Sequence, residues 1–533
     1  MLHRRRARAT TITRVLIVPS PLASTLVFVT SGAVLVLEIL AGRLLAPYVG
    51  VTLETFTAII GVVLAAIAVG TWLGGVIADR VPPARVLPPV LVLGGASAIA
   101  AVPLIRALGP AATSAPGTAV VLATVAFFVP AAILSAASPL VVKIQLDDLD
   151  RTGHVVGRLS AIGTAGALVG VFVTGFVLVA AFPTTPVVIA VGGALVVGGV
   201  VLAWYFSERN AAVRTPVTNT PGTRGLMLGG VLLAVGSTGA ATFWSGPCEV
   251  ETAYFCARVE VDPERPSGRV LWLDTLRHSY VDLDDPTHLE FGYVAMFGDL
   301  VDEVAERDGD PGRDRSTGPD GPDVVHIGGG GFTMPTYVDT VHPGSSNVVL
   351  ELDPDLVELA RRDLGLDPSD RMTIRTGDAR TGLLDVDDAS ADVVLGDAFG
   401  GLAVPWHLTT REFTEEVART LRPGGVYAIN VIDRPPLDFL RAQVATVREV
   451  FAHVALVAPP DRLRTSADGV GGNVVVLASD APLPIDGLEE RLDARGAADT
   501  LVSDSAAIDA FTGDAPVLTD EFAPVDQLLT TGR

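Results

Sequence analysis

The stretch Val324-Val325-His326-Ile327-Gly328-Gly329-Gly330-Gly331 decides the fold of the C-terminal half of the chain. Its first four residues form a short, mostly β-branched run, which predicts a buried strand. Four glycines follow at once, ahead of a predicted helix. Because glycine has no Cβ, their backbone amides can approach a bound ligand closely, so this turn is a candidate binding site.

Strand and helix patterns alternate downstream of this turn. Helical stretches at 354–363 and 409–421 separate apolar runs that predict strands at 347–352, 372–375, 393–395 and 426–431. Such alternation implies a doubly wound parallel sheet, which binds ligands at the carboxyl ends of its strands. Later strands at 454–457 and 473–478 would complete a seven-stranded sheet. We therefore predict a Rossmann-like α/β domain over 324–480, with a C-terminal extension over 481–533.

Two carboxylates follow neighbouring strands of this predicted sheet. Glu351 closes the second strand, about 20 residues after the glycines, where a carboxylate can accept both hydroxyls of a ribose. Asp378 follows the third strand, at a position where an acid can meet an adenine amino group. Together these features predict an adenosine site, of the kind used for S-adenosyl ligands and for dinucleotides. Its predicted members are Gly328, Gly329, Gly330, Glu351, Asp378 and Ala379.

A third acid, Asp397, ends the fourth predicted strand within Gly396-Asp397-Ala398-Phe399. At that edge of the sheet, a carboxylate could take a proton from an attacking nucleophile. Helix capping and plain solvent exposure are the other interpretations of the same residue.

The composition divides the chain into two unlike halves. It has 533 residues and a mean hydropathy of +0.46, yet 60 acidic against 38 basic side chains. Residues 1–246 carry a net charge of +8, and residues 247–533 carry −30. This composition excludes disorder, a coiled coil and a disulfide scaffold. An acidic surface also argues against nucleic acid as a partner, while a cationic substrate stays open.

Most of the acidic residues are interpreted as solvated surface. Lys143 is the only lysine of the chain, so almost all basic residues are arginine. This bias, together with the acidic excess, resembles proteins of salt-loving microbes and predicts a halophile as the source.

The first half contains seven apolar runs of about 20 residues, the length that a helix needs to cross a bilayer. We predict a membrane domain over 1–246, with about seven transmembrane helices and the lipid bilayer as its partner. Small-residue spacings, such as Gly70 with Gly74 and Gly166 with Gly170, indicate close helix packing. The runs lie at 24–42, 54–77, 86–108, 118–142, 158–181, 185–206 and 225–244.

The charges of the loops predict an orientation in the membrane. Arginines crowd the segment from Arg4 to Arg8, and alternate loops carry most of the remaining basic residues. Because positive charge marks the cytoplasmic side, the N-terminus should be cytoplasmic and its segment a retained anchor. Seven crossings would then place the acidic half outside. One miscounted span, with 225–244 the first candidate, would place it inside.

A small β-domain is predicted between the membrane domain and the sheet. Residues 252–261 and 269–282 alternate and are rich in β-formers, so 247–300 is interpreted as a short antiparallel domain. Residues 301–323 predict an acidic loop. Cys248 and Cys256 follow the last apolar run and predict a disulfide if the domain faces outward, or reduced thiols if it faces the cytoplasm. No metal site is predicted, because the two cysteines have neither CxxC spacing nor a nearby histidine.

Taken in chain order, the motifs of the second half resemble those of the spermidine synthases. With seven spans in front, the chain is more closely similar to the membrane-fused spermidine synthase-like proteins. The resemblance covers about 252–478 and, more loosely, the spans. The residues that carry it are Leu273-Asp274, His278-Ser279-Tyr280, Glu290-Phe291-Gly292-Tyr293, the glycine run, Glu351, Asp378, and Asp397 followed by Pro405 and Leu408.

The resemblance implies a polyamine aminopropyltransferase. An amine would attack the propyl carbon beside the sulfonium of decarboxylated S-adenosylmethionine and release methylthioadenosine. By position, Glu351 would hold the ribose, Asp378 the adenine, and Asp397 would take the amine proton. His278 and Tyr293 would contact a small cationic amine. The acceptor amine and the oligomeric state stay open, and a homo-oligomer is allowed.

The chain departs from the family pattern on one side of the reaction. Gly331 and Gly400 stand where the family usually has acids, Val294 where it has histidine, and His278 where it has glutamine. The nucleoside side is kept, whereas the amine side is altered. A diammonium ligand needs carboxylates to replace its water, so these departures weigh against putrescine in particular.

Two other functions are kept as alternatives. A methyltransferase would use the same adenosyl site with S-adenosylmethionine itself. A polyamine transporter or sensor would use the spans, where Glu38 and Arg43 are ionisable, and bind its ligand in the soluble half without turnover. The predicted orientation also conflicts with the chemistry, since S-adenosyl ligands are made and kept in the cytoplasm.

Overall fold

The computed structural model describes residues 18–112, 117–146, 149–213, 221–244, 246–308, 321–401, 403–466 and 468–530. The chain forms two compact units, Met1–Pro247 and Cys248–Arg533. This division lies one residue from the predicted boundary at 246. The arginine-rich segment from Arg4 to Arg8 and residues 309–320 of the predicted acidic loop lie outside the described residues.

Seven long apolar helices make up the described part of the N-terminal unit, which confirms the predicted number of helices long and apolar enough to cross a membrane. The last of them has 22 residues and a mean hydropathy of 1.7, so it is long and apolar enough to cross a membrane like the other six. Two are interrupted by π-helical turns, at Thr124–Phe128 and Thr174–Leu178. The helices are α1 (Ser20–Val49), α2 (Leu53–Arg80), α3 (Pro83–Ala111), α4 (Thr118–Gln145), α5 (Thr152–Ala181), α6 (Thr184–Glu208) and α7 (Gly222–Phe243).

Glycines bring some of these helices into backbone contact. A Cβ at Gly70 would lie 2.0 Å from the carbonyl oxygen of Ala132, and one at Gly166 would lie 2.2 Å from that of Phe28. No side chain fits at such distances. The predicted packing role of the small-residue spacings is therefore confirmed, with α2 against α4 and α5 against α1.

The C-terminal unit begins with a four-stranded antiparallel sheet, as predicted for this segment. Its third and fourth strands form a hairpin that turns at Asp274, where φ is 52°. A disulfide joins Cys248 to Cys256, whose Cα atoms are 5.1 Å apart, so the chain just before the sheet is tied to its second strand. The strands are β1 (Val250–Glu251), β2 (Cys256–Val261), β3 (Gly268–Leu273) and β4 (Leu276–Asp282).

A second, eight-stranded sheet forms the centre of this unit, and its five neighbouring parallel strands confirm the doubly wound fold. Its order is β12-β10-β11-β9-β8-β5-β6-β7, with β11 antiparallel to both of its neighbours. It has one strand more than the predicted seven, because β12 pairs with β10. The strands are β5 (Val324–Ile327), β6 (Asn347–Glu351), β7 (Met372–Thr376), β8 (Ala391–Gly396), β9 (Leu421–Asp433), β10 (His453–Ala458), β11 (Gly472–Ser479) and β12 (Thr500–Val502).

Helices cover both faces of the large sheet. Val325 and Ile327 of β5 point into one apolar core and Val324 into another, so this strand is buried on both sides. Short 3-10 turns occur in both units, at Leu149–Arg151 in the N-terminal unit and at Trp406–Leu408 in the C-terminal unit. The helices are α8 (Gly292–Asp308), α9 (Thr333–Val341), α10 (Pro354–Asp363), α11 (Ala379–Leu383), α12 (Arg411–Thr420), α13 (Asp438–Arg448), α14 (Ile485–Ala494), α15 (Ser505–Thr512) and α16 (Val525–Thr530).

Helix α8 corrects two predicted boundaries. It contains the last residues of the predicted β-domain, 247–300, and the first eight residues of the predicted acidic loop, 301–323. The physical reason is its apolar face: Val294, Phe297 and Val301 recur at helical spacing and are all less than 9% exposed. Burial of these apolar side chains against the sheet stabilises the helix more than the acidic residues of the same segment destabilise it.

The register of the parallel strands brings the predicted site residues to one edge. Ile327 lies opposite Leu350 of β6 and opposite Gly396 of β8. The residues that follow each strand, Gly328 and Asp397 among them, therefore meet at the carboxyl edge. This is where strand order reverses in a doubly wound sheet and where such sheets bind ligands.

Candidate active site

The glycine turn is held by a buried carboxylate. Glu351 Oε2 accepts hydrogen bonds from the amides of Gly329 (2.8 Å) and Gly330 (3.0 Å), and its Oε1 accepts one from the amide of Asp353 (2.9 Å). The turn was predicted to offer its amides to a ligand, but two of them are bonded to Glu351. This carboxylate therefore fixes the shape of the turn.

Burial raises the pKa of Glu351, which is 6% exposed, while the three amide donors act in the opposite direction. A carboxylate has about four lone-pair positions, so three such bonds leave room for about one further donor. The predicted role of Glu351 as a ribose ligand stays a prediction.

Asp397 lies beside the glycine turn at the end of β8. Gly328 makes this approach possible: its φ is +98°, and a Cβ there would lie 2.5 Å from the carbonyl oxygen of Asp397. Tyr293 Oη donates to Asp397 Oδ2 (3.2 Å), and Asn430 Nδ2 donates to Oδ1 (2.9 Å). Asp397 does not cap a helix and is partly buried, and its role as a proton acceptor stays a prediction.

Desolvation is the largest influence on this carboxylate. It raises the pKa of Asp397 to about 6, against the lowering effect of the hydrogen bonds from Asn430 and Tyr293. Burial and the charge of Asp397 raise the pKa of Tyr293 well above its usual value, so its hydroxyl stays protonated and donates. Asp397 is thus ionised at neutral pH but more basic than an ordinary aspartate.

The amides that support Asp397 were missed by sequence reasoning. Asn473 Nδ2 donates to Asn430 Oδ1 (3.0 Å), which leaves the Nδ2 of Asn430 to face Asp397. Asn430 is 1% exposed and sits between Ile429 and Val431 in the buried strand β9. A polar residue within such an apolar run is the signal that could have identified it, since buried amides need partners.

One pocket contains five of the predicted site residues. It is lined by Gly328, Gly329, Gly330, Tyr293 and Asp397, together with residues that were not predicted. These additional residues are Ser279, Tyr280, Glu290, Phe291, Val294, Phe297, His326, Thr333, Met334, Pro335 and Leu395.

His278, a predicted substrate ligand, lies against the glycine turn. A Cβ at Gly330 would come within 3.0 Å of its Cε1. Its Nδ1 is 3.1 Å from Ser279 Oγ, which accepts a hydrogen bond from the amide of Gly331 (3.0 Å). Burial lowers the pKa of His278 to about 4, so the ring is neutral at pH 7. It is Ser279 that lines the pocket, and a substrate contact of His278 stays a prediction.

Asp378, the predicted adenine ligand, forms a separate cluster at the same edge. It caps α11 by accepting a hydrogen bond from the amide of Thr381 (3.2 Å), and Ala379 is the first residue of that helix. His407 Nε2 lies 2.7 Å from Asp378 Oδ2. His407 thus contacts the acid that is predicted to bind adenine.

The C-terminal extension reaches this cluster. Arg380 forms a bidentate ion pair with Asp520 (2.7 and 2.6 Å) and donates a hydrogen bond to the carbonyl oxygen of His407 (3.0 Å). The extension therefore braces the loop that carries His407 against α11. Among the residues that the structure describes, no group of three or more His, Cys, Asp or Glu side chains is placed to hold a metal ion.

Comparison with known proteins first defines the class of this unit. The family described as "Methyltransferase domain" matches residues 325–429, from β5 to β9. The C-terminal unit therefore has the Rossmann-like fold of S-adenosylmethionine-binding domains, and these strands are similar to methyltransferase domains.

Within that class, the C-terminal region is similar to polyamine aminopropyltransferases. It is 31% identical to that of Vibrio vulnificus over 163 residues, which is 30% of this chain and 51% of that protein. It is 30% identical to that of Chromobacterium violaceum over 154 residues, which is 28% of this chain and 53% of that protein. The chain thus spans about half the length of these two relatives. The C-terminal region is spermidine synthase-like and follows an N-terminal region of seven apolar helices.

A solved structure is also similar. A probable spermidine synthase from Corynebacterium glutamicum is 29% identical, with a TM-score of 0.44, and the match covers 50% of this chain and 94% of that one.

Replacing Glu351 by Gln tests the contact that holds the glycine turn. Gln has one acceptor oxygen for three amide donors, so at least one amide loses its partner. We expect Glu351→Gln to weaken binding of methylthioadenosine at least tenfold, about 1.4 kcal/mol, in calorimetric titration of the full chain. Glu358→Gln is the matched control, because the Glu358 side chain is 71% exposed on α10. Equal affinity in both variants would contradict this role.

Proposed function

We propose that the protein is a membrane-anchored aminopropyltransferase, which moves the aminopropyl group of decarboxylated S-adenosylmethionine to an amine. The observation that carries this proposal is the partly buried carboxylate of Asp397, hydrogen-bonded by Tyr293 and Asn430 beside the glycine turn. The similarity of the region to polyamine aminopropyltransferases supports it.

The residues of the adenosyl side fit this co-substrate. The pocket lies directly on the glycine turn, and Glu351 retains room for a hydroxyl donor. Glu351 would hold the ribose, while Gly328, Gly329 and Gly330 would let the nucleoside approach the backbone. Asp378 and Ala379 would bind the adenine at the start of α11, where the His407 contact would have to open or be shared.

The chemistry assigned to Asp397 is proton removal. The acceptor binds as an ammonium ion, and Asp397 takes one of its protons to give the neutral amine. The nitrogen lone pair then attacks the propyl carbon, the carbon–sulfur bond breaks, and its electron pair stays on sulfur as neutral methylthioadenosine. The product is a secondary ammonium ion, and the proton on Asp397 passes to solvent. A base with a pKa of about 6 suits this step, because it is ionised at neutral pH and still accepts a proton.

A methyltransferase is the second candidate, favoured by the family match over residues 325–429. It would use S-adenosylmethionine, whose carboxylate needs a partner that the decarboxylated compound does not. Comparing binding and turnover of the two nucleosides decides between the candidates. We expect methylthioadenosine release from the decarboxylated nucleoside when an amine is present. Methyl transfer from S-adenosylmethionine, without methylthioadenosine release from the other, would reject the proposal.

Asp397→Asn tests the proton acceptor directly. An amide cannot take the amine proton, so we expect kcat to fall by about 10²–10⁴-fold, the usual contribution of a general base. Methylthioadenosine affinity should change less than threefold, because Asp397 is not assigned to the nucleoside. A variant that keeps its activity would remove Asp397 from the mechanism.

The pH dependence gives a second test through Tyr293. Only the ionised form of Asp397 accepts a proton, so kcat/KM should rise as pH increases through about 6. The hydrogen bond from Tyr293 lowers the pKa of Asp397, so Tyr293→Phe should raise that pKa and move the acidic limb to higher pH. An unmoved or lowered limb in the pH profile would contradict this assignment.

We also propose that the C-terminal unit faces away from the cytoplasm. The seven helices, the positive charge of the N-terminal segment and the Cys248–Cys256 disulfide support this orientation, because disulfides persist in oxidising compartments. The nucleoside would then have to be delivered to that side.

Thiol labelling of intact cells tests the orientation, since the chain has two cysteines. We expect a membrane-impermeant maleimide to label the protein only after treatment with an impermeant reductant, without lysis. A Cys248→Ser, Cys256→Ser variant controls for background. Labelling that requires lysis, or that occurs without reduction, would place the unit inside or show free thiols.

A further inference from the structure

One wall of the candidate pocket is built from apolar side chains. Four of its residues come from the segment that leads into and forms α8: Phe291, Tyr293, Val294 and Phe297. Phe291 and Tyr293 stack with their ring centres 6.1 Å apart, and Tyr293 meets Phe297 edge-on at 5.9 Å. Met334 and Leu395 add aliphatic surface and are 8% and 2% exposed. A ligand that enters beside Asp397 therefore meets aromatic and aliphatic side chains.

Two carboxylates occur among the described residues that line this pocket, Asp397 and Glu290. They are not equivalent, because Glu290 is already paired. Arg277 lies 3.3 Å from its Oε1 and His288 lies 3.2 Å from its Oε2. The Arg277 guanidinium also lies over the Phe291 ring, 4.9 Å from its centre, which holds a positive charge at that end of the pocket. A second ammonium group near Glu290 would meet this cation.

His326 does not supply another anion, because burial lowers its pKa to about 4 and the ring is neutral at pH 7. Its Nε2 donates to Asn347 Oδ1 (2.8 Å), which leaves Nδ1 as an uncharged acceptor. Asp397 is thus the one carboxylate of the lining that no cation neutralises in the described structure. One ammonium group can be balanced there, and a second that lies against the apolar wall would have no unpaired carboxylate beside it, which is unfavourable.

Resting on the proposed function, we infer that the amine ligand of this pocket is a monoamine with an apolar tail. Its single ammonium group sits on Asp397, and its hydrocarbon tail lies along the aromatic and aliphatic wall. Burial of that tail favours binding, whereas a diamine must bring its second charge into the same apolar surroundings.

Two amines with the same carbon chain test this inference through their binding affinities, without any turnover. Calorimetric titration of the full chain, saturated with methylthioadenosine, compares n-butylamine with butane-1,4-diamine. We expect the monoamine to bind at least tenfold more tightly. Equal or tighter binding of the diamine would overturn the inference.

A charge placed in the apolar wall should reverse the preference. Met334 is the second residue of α9, where a carboxylate is stabilised by the helix N-terminus, and Glu has a similar size. We expect Met334→Glu to shift the diamine-to-monoamine affinity ratio at least tenfold towards the diamine. Met334→Gln is the matched control with the same shape and no charge, and it should leave the ratio within threefold. A shift in both variants, or in neither, would contradict the inference.

Turnover separates this inference from the proposed function. Failure of every amine to release methylthioadenosine from decarboxylated S-adenosylmethionine would reject the aminopropyltransferase. The binding ratios would still support or overturn the monoamine specificity of the pocket, because they do not depend on catalysis.

Discussion

The bonds from the Gly329 and Gly330 amides to Glu351 are the constraint on which the rest of the site depends. They join the ends of two neighbouring strands, β5 and β6, at the edge where the strand order reverses. Once the turn is fixed in this way, Gly328 lies very close to Asp397, the residue that follows the neighbouring strand β8. A Cβ at Gly328 would be only 2.5 Å from the carbonyl oxygen of Asp397. One buried carboxylate thereby sets the distance between the predicted nucleoside site and the predicted base.

The pKa values of Glu351 and Asp397 are set by the same two opposing effects. Burial raises the pKa of each, and hydrogen-bond donors oppose that rise. Glu351 receives three backbone amides, which hold it in place, whereas Asp397 receives one hydroxyl and one side-chain amide. Fewer donors leave Asp397 with free lone pairs. The number and kind of donors therefore distinguish the carboxylate that fixes the glycine turn from the one that we propose as the proton acceptor.

Sequence patterns predicted the strands, the helices between them and the acids at the strand ends, because these depend on local periodicity and on chain direction in a parallel sheet. They missed contacts that only tertiary packing creates. The Asn430–Asn473 pair joins two strands that are antiparallel neighbours, and the Arg380–Asp520 pair spans 140 residues. Helix α8 was missed in part because its acidic outer face obscured the spacing of Val294, Phe297 and Val301.

The charges of the C-terminal unit show why its acidic composition is a poor guide to the ligand. Many of its acids are paired with arginine, as Asp323 and Asp392 are with Arg422 at 2.5 and 2.6 Å. Such pairs contribute little to binding a cation, because their charge is already balanced. The active pocket repeats this pattern, with Glu290 paired and Asp397 bonded only to neutral donors. For the amine that we propose as ligand, the charge that matters is therefore Asp397, the one carboxylate of the described lining without a cation, and the apolar wall beside it would select the rest of that amine.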